Sequence, residues 1–119
     1  MRKQSSTNTM NKVQLEADCG MAYTMSMIGG RWKLSILYNL LGLGILRFGE
    51  LKSKIPNITE RMLIKQLREL EKDGLVQRKV YAEVPPKVEY GLSDKGKSLE
   101  GILNGLSSWG DEHRGLPLH

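Results

Sequence analysis

Only one cysteine, Cys19, stands in the 119 residues, so no internal disulfide framework braces this fold. A lone thiol fits a reducing compartment, and a cytoplasmic location is expected. Histidine is almost as scarce: His113 and His119 both sit in the tail, too far from any thiol to complete a tetrahedral metal set. The same scarcity leaves no Ser, His and carboxylate constellation. The short Gly42-Leu43-Gly44 stretch lacks the fingerprint and the βαβ setting of a phosphate-cradling loop. No enzyme, no metal and no cofactor are therefore expected. No apolar run approaches the ~18 residues of a membrane span. The first dozen residues carry charge without an apolar stretch behind it, which predicts no signal peptide. Internal repeats and interdomain linkers are missing too.

What is present is basic. Eighteen Lys and Arg stand against thirteen Asp and Glu, a formal charge of +5, with a sequence pI near 9.4. Such a balance suits a polyanionic partner. The length predicts one domain over residues 13–115, behind a disordered basic arm over residues 1–12. Within that domain, Met21, Ala22, Met25 and Ile28 space one face of a short helix ended by Gly29-Gly30. Trp32, Ile36, Leu37, Leu40 and Leu41 mark a second helix, with Gly42 and Gly44 placed to stop it. Ile45 to Arg47 has room only for a very short strand. A third helix carries Phe48, Leu51 and Ile55 and must end before Pro56.

The strongest amphipathic pattern follows. Thr59 is a good N-cap for a helix over Glu60 to Asp73, and Gly74 is placed to close it. Leu63, Leu67 and Leu70 share one face, while the opposite face collects Arg61, Lys65, Arg68 and Lys72. That face is either a solvated surface or a set of cations aimed at phosphates and base edges. Two strand-like runs come next, Leu75 to Glu83 and Lys87 to Leu92, separated by Pro85-Pro86, which cannot donate to a ladder. Ser93 then caps a last helix with Leu99, Ile102, Leu103, Leu106 and Trp109 along one side. Gly96, Gly101, Gly105 and Gly110 lie in or near its body, each interior glycine costing ~1 kcal/mol against alanine. Close packing of another helix, across a subunit boundary, is the expected return.

The fold class expected from this order is mainly α with a small β-hairpin, a winged helix-turn-helix. Six stretches resemble the HxlR-type transcriptional regulators: Ile28-Gly29-Gly30-Arg31-Trp32, Arg47-Phe48-Gly49-Glu50-Leu51, Ile58-Thr59-Glu60-Arg61-Met62-Leu63, Gln66-Leu67-Arg68-Glu69-Leu70-Glu71, Asp73-Gly74-Leu75-Val76, and Tyr81 to Tyr90 with its Val84-Pro85-Pro86-Lys87 tip. The resemblance runs from Cys19 to about Glu112. It implies a homodimer built by the first and last helices, with double-stranded DNA as partner, a recognition helix in the major groove and a wing on the backbone. In that family a cysteine commonly opens the first helix, followed by proline, and in several relatives it senses oxidants or electrophiles. Cys19 matches the position; Gly20 replaces the proline and is less pre-organised for a helix start.

On this alignment Arg61 and Lys65 are expected near base edges, Arg61 as the reader because its fork matches guanine. Arg47, Thr59, Arg68 and Lys87 complete the candidate DNA-binding set, with Lys52 and Lys54 as further phosphate contacts. Each cation alone is equally an exposed solubilising charge; together they select a duplex. Cys19 is the candidate redox-sensing residue, for a small electrophile or thiol. Its rival descriptions are a buried inert thiol and an incidental residue at a helix start. Two alternative functions stay open: the same DNA binder answering a small apolar ligand at the dimer interface, and a winged-helix protein-interaction module.

Overall fold

A computed structural model describes residues 19–115 of the chain. The arm expected over residues 1–12, the start of order near Val13, and His119 lie outside that range. Helix α1 spans Gly20–Ile28 and α2 spans Arg31–Leu43. The break between them falls at the glycine pair. Gly30 has φ 97°, a left-handed conformation that only glycine adopts without penalty. Helix α2 does not stop at Gly42, as expected, but runs through it to Leu43. An interior glycine weakens a helix without forbidding it, whereas Gly44, at φ 83°, supplies the turn that ends one.

Strand β1 (Leu46–Arg47) leads directly into α3 (Phe48–Lys54), and α4 covers Glu60–Lys72. The Thr59 hydroxyl accepts a hydrogen bond from the Met62 backbone N–H at 3.0 Å, which is the expected cap. Leu63, Leu67 and Leu70 of α4 are buried, against Ile36, Leu37 and Leu40 of α2 and Leu51 of α3. Lys33 of α2 reaches Glu69 of α4 with Nζ–Oε1 at 2.6 Å, tying the two helices at their rim.

Strands β2 (Val76–Tyr81) and β3 (Lys87–Leu92) form the expected antiparallel hairpin. It is part of a three-stranded sheet in the order β1-β3-β2, because the two residues of β1 pair with Tyr90 and Glu89. Period-two alternation divides the sheet. Leu46, Val76, Tyr90 and Leu92 enter the core, while Arg47, Lys79 and Glu89 form one cross-strand row on the other face.

The single last helix expected after Ser93 is two helices, α5 (Asp94–Lys97) and α6 (Glu100–His113). Ser93 caps α5 by accepting the Gly96 N–H at 3.0 Å. Gly96 is buried hard against the Leu75 carbonyl, where no Cβ fits. Its glycine is therefore explained within one chain, and not by the subunit contact expected for the set. Around Gly101, Gly105 and Gly110 of α6 the single chain leaves open space. The terminal helices bury little: Ile28 alone from α1 and Leu103 alone from α6. No helix among the described residues is long and apolar enough to cross a membrane.

Candidate nucleic-acid interface

Helix α4 presents Arg61, Lys65 and Arg68 to solvent on the side away from its buried leucines. Arg61 stands in the first turn, where a recognition helix approaches base edges most closely. Lys65 is loosely tethered, its Nζ 3.8 Å from Glu69 one turn on. Such an exposed pair is worth little and yields readily to another anion. Thr59 uses an oxygen lone pair for its cap, leaving its hydroxyl proton to donate elsewhere. Gln66, half-buried, donates instead to the Met62 sulfur at 3.2 Å and so borders the core.

Between α4 and the inner face of the hairpin runs a cleft of about 470 Å³, lined by Phe48, Arg68, Glu71, Arg78, Val88 and Tyr90 among others. Arg68 and Arg78 thus face one groove from two different elements. Sequence reasoning missed Arg78. Its signal was available in the alternation of β2, which puts Arg78 on the same side as Val76 and opposite Tyr90.

The outer face of the sheet gathers Arg47, Lys79 and Lys87, while Lys52 and Lys54 stand in the last turn of α3. Arg47 closes the first turn of α3, its backbone N–H donating to Glu50 Oε1 at 2.8 Å, and its side chain is exposed. Glu89 lies between Arg47 and Lys79 in the cross-strand row. The Tyr81 hydroxyl donates to Glu89 Oε1 at 2.8 Å, and Lys87 Nζ stands 3.6 Å from Glu89 Oε2. The Lys87 and Lys79 ammonium groups also lie over the Tyr81 ring, 4.5 and 4.9 Å from its centre. Lys87 is therefore held against the sheet rather than loose at the hairpin tip. The Tyr81 hydrogen bond holds the Glu89 carboxyl below its ordinary value of 4.5, against a partial upward push from burial, with Lys87 and Arg47 adding to the lowering.

Cys19 is exposed and is the N-cap residue of α1. Its backbone is extended, and its carbonyl accepts the Tyr23 N–H at 3.0 Å. No side-chain cap is formed, so the thiol is presented at a helix start rather than packed away. Among the described residues of one chain the thiol is exposed, not buried. The apolar side chains of the terminal helices are likewise uncovered: Met21 and Met25 on α1, Ile102, Leu106 and Trp109 on α6. Spacings of four, and of four and three, make each group a stripe. The Tyr38 hydroxyl and Ser107 Oγ, 3.1 Å apart, pin α6 to α2 beside it.

Comparison with known proteins agrees with this geometry. The family model described as HxlR-like helix-turn-helix matches residues 27–116. The uncharacterized HTH-type transcriptional regulator YtcD of Bacillus subtilis is 57% identical over 90 residues, covering 76% of this chain and 71% of its own. YkvN of the same organism, named likewise, is 54% identical over 92 residues, 77% of each chain. Among solved structures, the redox regulator HypR in its oxidized form superposes with a TM-score of 0.77 at 46% identity, covering 82% of this chain and all of that one. Its reduced form gives 0.78 at 45% identity, over 82% of this chain and 95% of that one. Six sequence stretches, the winged helix-turn-helix they fold into, and these matches agree: the chain belongs to the HxlR-like helix-turn-helix family of DNA-binding transcriptional regulators.

Proposed function

We propose that this regulator binds a specific operator as a homodimer and that covalent modification of Cys19 lowers its affinity for that operator. Arg61 reads a base edge, with Lys65 beside it. Arg47, Arg68 and Lys87 meet phosphates, Thr59 donates to one, and Arg78 extends the phosphate track from α4 onto the hairpin. The observation that carries the DNA-binding surface is the exposed row Arg61, Lys65, Arg68 on α4, continued across one cleft by Arg78. Two such helices in a dimer address half-sites about one helical turn, ~34 Å, apart.

Support for the thiol input is the exposure of Cys19 at the start of α1, together with the likeness to HypR, a redox regulator solved in oxidized and reduced forms. The uncovered stripes of α1 and α6 suit a dimer interface, so a group added at Cys19 sits beside the joint that sets the spacing of the recognition helices. With one cysteine per chain, oxidation ends as an inter-subunit disulfide or as a mixed disulfide with a small thiol. A tenfold change in affinity needs only ~1.4 kcal/mol between the two states.

The test selects fragments of the encoding genome that the reduced protein retains, then titrates one with protein treated or untreated with diamide. The native protein is expected to lose about tenfold or more in affinity on treatment, and Cys19→Ser to bind equally well in both conditions. Equal loss in both proteins would remove Cys19 from the mechanism and leave a non-thiol ligand as the input.

A further inference from the structure

We propose that Glu89 sets DNA specificity by occupying, among Arg47, Lys79 and Lys87, the place that a backbone phosphate would otherwise take. The inference rests on DNA binding by the winged helix and not on thiol chemistry. A carboxylate and a phosphate offer the same chemistry to a lysine, an anionic oxygen that accepts charge-assisted hydrogen bonds. Glu89 is built to hold that position. It lies on β3, the central strand, with Arg47 paired to it on one side and Lys79 on the other. Its Oε1 is fixed by the Tyr81 hydroxyl at 2.8 Å, and its Oε2 faces Lys87 Nζ at 3.6 Å. Tyr81 in turn lies beneath both lysine ammonium groups. The acid and the phenol thereby hold Lys87, and the phenol ring also lies under Lys79.

The consequence is different for random and for operator DNA. Non-specific binding is driven by counterions released when free cations meet phosphates. A lysine already facing its own carboxylate contributes less to that release, so the outer face of the hairpin adds less grip on random duplex. On an operator, base contacts from α4 fix the register of the backbone against the sheet. Lys87 can then exchange Glu89 for a phosphate at small net cost, one charge-assisted pair replacing another. Glu89 weakens the wrong complex more than the right one, and specificity is that difference.

Glu89→Gln tests this while keeping a carbonyl oxygen for the Tyr81 hydroxyl. Affinity for a genome-selected fragment and for a random duplex is measured by fluorescence anisotropy between ~50 and ~200 mM salt. The variant is expected to bind random duplex several-fold more tightly, with a salt slope steeper by about 0.9 for each cation freed. Its affinity for the selected fragment should change less, so that the ratio of the two falls. Lys87→Gln in the otherwise native protein gives a second reading independent of that variant's folding. It should cost more on the selected fragment than on random duplex, and shift the random-duplex slope by clearly less than ~0.9. Unchanged random-duplex binding in Glu89→Gln, or equal losses on both DNAs in Lys87→Gln, would overturn the proposal while leaving DNA binding intact. Failure of the native protein to retain any duplex would instead overturn the DNA-binding reading, and this proposal with it.

Discussion

Arg61 and Arg78 illustrate the two kinds of contact available to this surface. Arg61 stands in the first turn of α4, and under the proposed function its planar fork reads the edge of a guanine. Arg61→Ala is expected to cost ~1–3 kcal/mol on the selected operator and to relax preference at one base position, measured by competition among single-base operator variants. Loss spread evenly over every variant would place Arg61 on phosphate instead. Arg61, Lys65 and Arg68 were legible in the sequence because helical periodicity is a local property: the buried leucines fix which face remains. Thr59 was legible for the same reason, since a cap and its N–H lie three residues apart. Arg78 was missed although alternation with Val76 gives its side of the strand; what the sequence does not carry is that this side closes a cleft against α4. The Lys87–Glu89 pair follows from two positions on one strand, whereas the Tyr81 contact to both needs the cross-strand alignment of β2 with β3.

At the scale of elements, local signals located the helices and missed where two of them change. The boundaries at Gly29-Gly30 and at Thr59 follow from residues within one turn. The split between α5 and α6, at Ser98 and Leu99, has no such local marker, whereas Gly96 inside α5 is fixed by its close approach to the Leu75 carbonyl. Leu75 also accepts the Ser93 N–H at 3.0 Å, so β2, β3 and α5 converge on one backbone carbonyl. Gly96→Val is therefore expected to destabilise the fold by ~1–3 kcal/mol, the usual range for overpacking a core, read as a lowered midpoint in urea unfolding. Gly105→Ala, in open space on α6, should be neutral or stabilising within a single chain, since alanine is the better helix former. Any loss of dimerisation there would show that the partner's helix needs the gap. The brief strand β1 was legible as a very short strand; its pairing with Tyr90 and Glu89 came from the third dimension.

For the whole molecule, the terminal helices carry the consequence. Leu103 is 2% exposed and belongs to the core of one chain, so changing it would test folding rather than assembly. Leu106 and Trp109 remain 52% and 64% exposed among the described residues, with only the His113 ring stacked on Trp109. Burying the exposed half of such a side chain in a dimer is worth half of the ~1.5–3 kcal/mol that full burial gives. Leu106→Glu is expected to give a folded monomer by sedimentation at micromolar concentration, with operator binding lost in parallel; an unchanged dimer would move the interface elsewhere. The proposed dimer joint on α1 and α6 has the thiol at the start of α1, and the coupling between them is the central claim. It is tested most directly by reading operator affinity and Cys19 occupancy on the same samples, occupancy by intact mass after graded treatment with diamide and a small thiol. Affinity should fall in proportion to occupancy, with Cys19→Ser flat across the series. Full modification of Cys19 with undiminished operator binding would contradict the account.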